Sequence, residues 1–353
     1  MEIIWYVDLL KSLRWSPVTD QIPLGVHLGE RLTLDQTWWQ AEYADTNNFE
    51  SIWIAEGRLA RDGIVPAAVI AAKTHQAAIA TGVVNNKTRN AALMAVTFKT
   101  LDEIAPNRIR LGIGPWWEPI ASKVGTPVVR PLAAMREYVE VLQAFFRNEL
   151  VTYDGDFIQM DGVRFDSMYH ENKPIDIPIY FGSVGPQMLT LAGEIADGVH
   201  LDFLLPVDYL AGARSAIERG LQKREPQKSD FHVTQIVACS VDDSDPDQAV
   251  DACRAFLTQY LMQQPHIAEH CGVEPELVEK IQGVAGWPAT PQDIRNAMHL
   301  VPTRLVHEVS ACGTTSTAFA KLCEYYEAGL DLPIISTHGD KENTLIKLSQ
   351  FTR

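Results

Sequence analysis

Ala78-Ile79-Ala80-Thr81-Gly82-Val83-Val84 is an apolar run that ends in the polar residues Asn85-Asn86-Lys87-Thr88-Arg89 and leads into a helical pattern over Asn90–Ile104. A short apolar run that is followed at once by a helix is typical of one strand-helix unit of an α/β protein. The polar residues between the two would lie at the carboxyl end of the strand. Parallel α/β folds bind their ligands at that end.

The same unit recurs along the chain. Eight short runs, most of them apolar throughout, predict parallel strands that are covered on both faces, and these are Ile22–Leu28, Ser51–Ala55, Ala78–Val84, Arg108–Ile113, Ile177–Phe181, Gly198–Phe203, Phe231–Val241 and Leu332–Ser336. The helical patterns between them cover Thr33–Thr46, Asn90–Ile104, Pro131–Phe146, Gln187–Ile195, Val207–Arg219 and Pro246–Gln264. This alternation favours the α/β class and a (β/α)8 TIM barrel, with an open doubly wound sheet as the alternative.

The chain reads as a single domain over residues 1–353 with two insertions, because no linker or low-complexity run divides it. The first insertion, residues 150–175, contains Tyr153–Phe165, whose Asp-Gly pairs predict a β-hairpin. The second, residues 265–310, holds extra short helices and loops before the last strand. Insertions on a barrel often cover the mouth where ligands bind.

The composition excludes several classes of protein. With 46% hydrophobic and 21% charged residues, the chain can bury a core and is not a disordered protein. Its 45 acidic and 30 basic side chains give a formal net charge of -15, which argues against nucleic acid or an anionic membrane as a partner. The five cysteines form no CxxC pair, and no apolar run approaches the roughly 18 residues of a membrane span. Because Ile3–Val7 is too short for a signal-peptide core, we expect a soluble protein of the reducing cytoplasm.

Candidate binding residues follow the third predicted strand. Gly82 permits a close approach of the backbone to a ligand, and Asn85, Thr88 and Arg89 could bond a planar heterocycle or a phosphate. The alternative is a polar strand-helix turn in which Arg89 is solvated.

Two further strand ends carry candidate binding residues. After the fourth strand, Gly114 leaves room and Trp116 offers a flat apolar surface for a stacked ring, although packing under a loop explains the tryptophan equally well. After the fifth strand, the loop Gly182-Ser183-Val184-Gly185-Pro186-Gln187 opens a helix, whose backbone N–H groups and dipole can hold a phosphate. A merely tight turn is the alternative there.

These segments resemble the bacterial-luciferase-like superfamily of flavin- and deazaflavin-dependent oxidoreductases. The resemblance runs from about Ile22 to Ser336 and is strongest in Leu111-Gly112-Ile113-Gly114-Pro115 and in Gly185–Gly198. Within the superfamily they look like the methylenetetrahydromethanopterin reductase branch, which uses the deazaflavin coenzyme F-420. The resemblance implies a barrel with an insertion region, usually a homodimer, and a non-proline cis peptide at Gly82-Val83.

The same resemblance implies a cofactor site. The residues implied behind the ring are Val83, Val84 and Asn85, and those implied at the phosphate are Gly182, Ser183, Gly185, Pro186 and Gln187. The expected function is hydride transfer between F-420 and a small or pterin-like substrate. An FMN-dependent monooxygenase of the same fold is one alternative, and a non-catalytic protein that binds flavin or F-420 is another.

Two positions depart from the reductase branch. That branch carries a glutamate in its first strand where this chain has His27, and many relatives end the second strand in Asp-His where this chain has Ala55-Glu56. These changes put the methylenetetrahydromethanopterin substrate in doubt. His27 and Glu56 are our candidate catalytic residues, because a His–carboxylate pair can supply or remove a proton beside a hydride transfer. The alternative is two satisfied polar residues at strand ends.

The remaining polar motifs predict no metal site. His266 and His270 lie four residues apart, but no further ligand cluster accompanies them.

Because the net charge is acidic, the cofactor phosphate needs nearby cations, and the candidates are Arg58, Arg61, Lys87 and Arg89. Removal of Arg89 should therefore weaken cofactor binding, most of all at low salt.

Overall fold

The structure, a computed structural model, describes residues 21–168, 171–224, 230–264 and 268–353. Its strands are β1 (Gly25–Leu28), β2 (Ser51–Ile54), β3 (Ala78–Thr81), β4 (Val84–Asn85), β5 (Ile109–Gly114), β6 (Val151–Asp154), β7 (Gln159–Val163), β8 (Ile179–Gly182), β9 (Gly198–Leu201), β10 (His232–Val241), β11 (Ser310–Gly313) and β12 (Leu332–Thr337). Its α-helices are α1 (Leu34–Thr46), α2 (Ile64–Lys73), α3 (Ala91–Ile104), α4 (Ile120–Lys123), α5 (Pro131–Phe146), α6 (Pro186–Ile195), α7 (Tyr209–Leu221), α8 (Pro246–Gln263), α9 (Ala268–Cys271), α10 (Pro275–Gln282), α11 (Pro291–Ala297), α12 (Thr303–Val309), α13 (Thr315–Glu327) and α14 (Lys341–Ser349).

Eight parallel strands close into a barrel in the order β1-β2-β3-β5-β8-β9-β10-β12. The β12–β1 and β9–β10 pairs complete the ring, and β11 adds to the end of β10. The predicted (β/α)8 barrel is confirmed, and each of its eight strands overlaps one of the predicted apolar runs, with β5, β8 and β12 ending one residue later than predicted.

Side chains alternate between the barrel interior and the layer under the helices, because successive residues of a strand face opposite ways. The ladder pairs His27 with Trp53 and Trp53 with Ala80, so these three residues share the interior face. Trp53 also packs edge-on against Tyr180 inside the barrel, with 5.3 Å between the ring centroids. Residues of the opposite parity, such as Ile52 and Ile79, join the larger core between strands and helices.

Among the described residues, four helices and one strand were not predicted from the sequence: α2, α4, α13, α14 and β11. The α2 segment is apolar through most of its length and carries Pro66 in its first turn, so it shows neither an amphipathic period nor a clear start. Proline is tolerated there because the first-turn N–H groups have no acceptor within the helix.

The predicted hairpin forms as the antiparallel pair β6–β7 and packs along the outside of α5. The Glu137 carboxylate of α5 accepts hydrogen bonds from the backbone N–H groups of Asp156, Phe157 and Ile158, and the Tyr153 hydroxyl donates to Glu140 at 2.7 Å. These contacts hold the hairpin against the helix rather than over the barrel mouth.

The second insertion forms helices, as predicted, and builds a satellite core with α8. This core contains Ile281 and Leu305 from the insertion, Phe256 and Tyr260 from α8, and Phe203 from the loop after β9. It covers the barrel at β9, β10 and β11. No helix in the described parts of the chain is apolar and long enough to span a bilayer.

Candidate active site

A cavity of about 630 Å³ opens at the carboxyl ends of the barrel strands. Residues that follow seven of the eight barrel strands line it, together with Phe256 and Tyr260 from α8. Its position is the usual ligand site of this architecture, and its volume lies within the range of small-molecule and cofactor pockets.

The chain bulges into this cavity between β3 and β4, where the Gly82-Val83 peptide bond is cis, as the family resemblance implies. Three interior glycines make room for the Val83 side chain. A Cβ atom on Gly182 would lie 2.8 Å from Val83 Cγ2, and one on Gly114 would lie 3.3 Å from it. A Cβ atom on Gly112 would lie 3.1 Å from Val83 Cγ1. The glycines therefore allow Val83 to form a protruding apolar surface in the cavity.

The Thr81 side chain closes the gap that this bulge leaves in the sheet. Pairing of β3 with β5 reaches Ala80, and pairing resumes at Val84 in β4. In between, Thr81 Oγ1 donates to the Gly112 carbonyl at 2.8 Å and accepts from the Gly112 amide at 3.1 Å. The buried backbone groups beside the bulge thus stay hydrogen-bonded.

Asn85 lines the cavity and also holds the turn that follows it. Its Oδ1 accepts hydrogen bonds from the backbone N–H groups of Lys87 and Thr88 at 2.9 Å each, and its Nδ2 donates to Glu56 at 3.1 Å. Thr88 is exposed and is not a lining residue, so its contact with Asn85 is its link to the site.

Glu56 lies at the cavity wall, where it pairs with Arg89. Two guanidinium nitrogens of Arg89 donate to the two Glu56 oxygens at 2.9 and 2.7 Å, and Arg89 also pairs with Asp62. The Gly63 amide donates a further bond to Glu56 at 3.2 Å. The hydrogen bond and charge of Glu56 raise the pKa of Arg89. This pair connects the loops after β2 and β3, and Arg89 itself does not line the cavity.

His27 is buried at the end of β1 and faces the cavity. Its Nδ1 lies 3.2 Å from Ser336 Oγ, and its ring packs edge-on against Phe203. Burial lowers the pKa of His27 to about 4, although the negative charge of Glu30 opposes that shift. The imidazole is therefore neutral at pH 7. The carboxylate whose charge acts on it is Glu30, whereas the predicted partner Glu56 is engaged by Arg89.

Two further histidines line the cavity and were not singled out in the sequence. His200 stacks on Trp53 with 4.2 Å between ring centroids, and its Nδ1 lies 2.9 Å from Thr234 Oγ1. Burial holds the pKa of His200 well below its usual range and lowers that of His338 to about 3. The Nε2 atoms of both are buried and have no partner among the described residues. A sequence signal existed for His200, because Gly-Val-His-Leu occurs both in β1 and in β9.

The loop between β8 and α6 lines another wall through Gly182, Ser183 and Gly185. Gly185 is the N-cap of α6, and no side chain caps the helix there. A Cβ atom on Gly185 would meet nothing within 4 Å. The first-turn amides are thus available to an anion, which the helix dipole also favours. Pro186 and Gln187 lie in that first turn but are not lining residues.

Trp116 and Trp117 line the cavity beyond Gly114. The Trp117 ring lies edge-on to Trp287 of the second insertion, with 5.2 Å between centroids, so this insertion borders the mouth.

Of the four cations predicted near the mouth, Arg58 is the lining residue, and its guanidinium lies 5.6 Å from the Trp117 ring centre. Of the weaker histidine motif, His266 lies outside the described residues.

Comparisons with known proteins point to one family. A sequence model of the luciferase-like monooxygenase family matches residues 18–332. The chain is 30% identical to the 5,10-methylenetetrahydromethanopterin reductase of Methanolobus tindarius over 313 residues, which cover 87% of this chain and 92% of the relative. It is 27% identical over 247 residues to an F-420-dependent glucose-6-phosphate dehydrogenase of Kineococcus radiotolerans, which covers 66% of this chain and 72% of the relative.

A solved structure agrees with the sequence comparison. The coenzyme F-420-dependent tetrahydromethanopterin reductase of Methanopyrus kandleri superposes with a TM-score of 0.81 at 25% identity, covering 94% of this chain and 98% of the other. Both the barrel and its insertions therefore have a counterpart of nearly the same length.

Proposed function

Because the chain belongs to the luciferase-like monooxygenase family, we propose that it is an F-420-dependent oxidoreductase that moves a hydride to or from a small or pterin-like substrate. The observation that carries this proposal is the cavity itself, in which the protruding Val83 surface and the uncapped N-terminus of α6 occur together. Two of the relatives described above are named as F-420-dependent, which favours the deazaflavin over FMN.

The lining residues fit a flavin-like cofactor in size, shape and charge. The cavity volume suits a planar ring with a tail, and the Val83 side chain offers that ring an apolar surface. The backbone of Ser183 and Gly185 and the first turn of α6 would hold the phosphate of the tail. When it is bound, the deazaflavin supplies the hydride donor or acceptor.

His27 is the residue we propose for proton transfer. Its imidazole is neutral at pH 7, so it can accept a proton from a substrate that gives up a hydride. The Ser336 hydroxyl contacts the ring at Nδ1, so Nε2 is the nitrogen we propose for the transfer. The charge of Glu30 favours the protonated ring and would stabilise it after the transfer. Glu56 acts in this scheme as a positioning residue that holds Asn85 and Arg89.

Co-elution with the cofactor tests the proposal before any substrate is known. The protein is mixed with F-420 or with FMN and passed over a gel-filtration column, and the visible absorbance of the protein peak is recorded. We expect F-420 to co-elute at about one per chain. Co-elution of FMN alone would favour the monooxygenase alternative, and co-elution of neither compound would refute the proposal.

The catalytic role is tested separately from binding. A His27→Ala variant should retain F-420 in the same experiment and lose hydride transfer with any substrate on which the wild type acts. A Glu56→Gln variant serves as the comparison, since it alters the loops while leaving His27 in place. Hydride transfer at the wild-type rate in His27→Ala would remove His27 from the mechanism.

A further inference from the structure

Three cationic side chains line the cavity on the side away from α6. Arg31 follows β1, Arg58 follows β2 and Lys341 follows β12. These strands are neighbours in the barrel, in the order β12-β1-β2, and β8, which leads to α6, lies across the barrel from β1. The cavity thus has a cationic wall opposite the loop to which we assign the cofactor phosphate.

None of these three cations forms a salt bridge with another described residue. The Arg31 guanidinium lies 4.9 Å from the ring centre of Phe256, and Arg58 donates a hydrogen bond to Gln263 and faces the Trp117 ring. Neutral partners of this kind position a guanidinium without neutralising its charge. The charges remain available to a ligand.

Arg31 lies within electrostatic reach of both other cations. Burial lowers the pKa of Arg31, Glu30 partly offsets this, and the charge of Arg58 lowers the pKa further. Burial and the charge of Arg31 likewise lower the pKa of Lys341. Like charges held together without enough counter-charge destabilise the folded protein, and a bound anion would relieve that repulsion.

Most carboxylates that line the cavity have their hydrogen-bond partners away from these three cations. Glu56 is paired with Arg89, Glu118 accepts hydrogen bonds from the backbone N–H groups of Ser122 and Val128, and Asp202 accepts one from the Tyr260 hydroxyl. Glu30 remains beside Arg31 and offsets part of its charge. In a chain of net charge -15, three cationic side chains that line one wall of the cavity and form no salt bridge with a described residue are therefore a specific feature of this site.

We propose that Arg31, Arg58 and Lys341 form an anion subsite that binds a carboxylate or phosphate group of the substrate. The guanidinium groups of Arg31 and Arg58 suit the planar, two-oxygen geometry of such groups. The assignment of the subsite to the substrate, rather than to the cofactor, rests on the proposed function, which places the cofactor phosphate at α6. The substrate would then be a small anionic molecule whose charged group points away from the cofactor tail.

Inorganic phosphate is the probe for this subsite. Thermal unfolding is followed at constant ionic strength while phosphate is added to protein that is already saturated with F-420. We expect a saturable rise in the unfolding midpoint of the wild type, and at least a tenfold higher phosphate requirement for the double variant Arg58→Gln/Lys341→Gln. A Lys173→Gln variant, altered at an exposed site outside the cavity, should respond like the wild type.

The possible outcomes separate this proposal from the proposed function. Equal responses to phosphate in the wild type and the double variant would overturn the subsite. A double variant that binds F-420 at least tenfold more weakly, while loaded wild type ignores phosphate, would assign the cations to the cofactor and overturn the substrate assignment. If the protein does not bind F-420 at all, the proposed function fails. The same titration without cofactor still tests whether the three cations bind an anion.

Discussion

At the scale of single residues, Val83 and its three glycines form the most constrained part of the site. The Val83 side chain fills the space that side chains at Gly112, Gly114 and Gly182 would occupy. Gly112 is the tightest of the three, because a Cβ atom there would lie 1.9 Å from the Thr81 carbonyl oxygen. A backbone atom cannot move away as a flexible side chain would, so the sheet itself would have to shift.

We predict that Gly112→Ala lowers the free energy of unfolding by roughly 1–3 kcal/mol, because the added methyl group overpacks the β3–β5 pair. Urea unfolding measures the change. Gly212→Ala is the matched control, since a Cβ atom there meets nothing within 4 Å and Gly212 lies within α7. It should raise stability by about 0.5–1 kcal/mol. Equal effects of the two substitutions would contradict the packing described here.

His27 gives a prediction for the dependence of stability on pH. Its folded-state pKa of about 4 lies below the ordinary 6.5, so the unfolded chain binds the proton first. The contribution of His27 to stability is complete above pH 6.5 and is lost as the pH falls from 6.5 to about 4. For a buried group with this shift, the loss amounts to about 3 kcal/mol.

A His27→Asn variant should therefore lose less stability than the wild type between pH 6.5 and pH 4, as measured by urea unfolding at several pH values. His200 and His338 also have lowered pKa values and should keep part of the slope in the variant. His299→Asn, at an exposed position, is the control and should follow the wild type. Parallel curves for His27→Asn and the wild type would show that His27 is not buried as a neutral residue.

Residue contacts were the part of the site that the sequence predicted least well. Arg58 and Arg89 are both arginines in polar loops after strands, and the sequence does not distinguish them. The distinction arises in three dimensions, because Arg89 meets Glu56 and Asp62 while Arg58 meets Gln263 and Trp117. The predicted role of Arg89 in holding phosphate remains a prediction, as does the catalytic role of Glu56.

At the scale of single elements, α6 begins at the cavity without a side-chain cap. Gly185 has φ of -79°, which any residue adopts, and open space around its Cα. A capping residue is therefore sterically allowed at a position where it would stabilise the helix. An open N-terminus in this place suits a ligand that caps the helix instead.

We predict that Gly185→Asp weakens F-420 binding at least tenfold, whereas Gly185→Asn weakens it much less. Both side chains can cap α6, but only aspartate places a negative charge where the phosphate would bind. Fluorescence titration of F-420 gives the affinities, and thermal unfolding checks that the two variants are equally stable. Equal affinities of the Asp and Asn variants would place the phosphate elsewhere.

Elements were predicted from the sequence more reliably than contacts were. The eight barrel strands are apolar on both faces, so each produces a short apolar run that stands out between polar loops. The short strand β11 escaped notice because Ser310–Gly313 carries little apolar character of its own and pairs with the end of β10. The cavity walls depend on loops from seven strands that are far apart in the sequence, which no local pattern specifies.

At the scale of the whole molecule, an apolar surface on α2 and α3 bears on the expected homodimer. The side chains of Val65 and Leu93 are 67% and 63% exposed, and Val69 and Val96 on the same helices are also exposed. The two helices pack against each other, so these residues mark one side of the barrel. Exposed apolar patches of this kind often mark protein–protein interfaces. The homodimer remains a prediction, and this surface is our candidate for its interface.

We predict that the wild type elutes from gel filtration as a dimer and that the double variant Val65→Glu/Leu93→Glu elutes as a monomer with an unchanged circular dichroism spectrum. The introduced carboxylates would be buried without partners in such an interface. Leu150→Glu is the control, because Leu150 is 62% exposed but lies outside these two helices. A monomeric wild type, or a double variant that still dimerises, would rule out this interface.

The net charge of -15 acts on the whole molecule against any anionic ligand. Binding of anionic ligands then depends on local groups. These are the α6 N-terminus on one wall, for the cofactor phosphate, and on the other wall the three cations that have no salt bridge within the described parts of the chain, for the substrate. The overall charge argued against nucleic acid and anionic membranes as partners. It did not predict where inside the barrel the positive groups would lie.

We propose that this barrel binds F-420 against Val83. The most direct measurement is a paired fluorescence titration of F-420 and FMN into the wild type and into Gly182→Val, in which the new side chain would collide with Val83. We expect saturable F-420 binding to the wild type, at least tenfold tighter than FMN binding, and at least a tenfold loss of F-420 affinity in Gly182→Val with its secondary structure intact. Tighter binding of FMN, or unchanged F-420 affinity in a folded Gly182→Val, would contradict it.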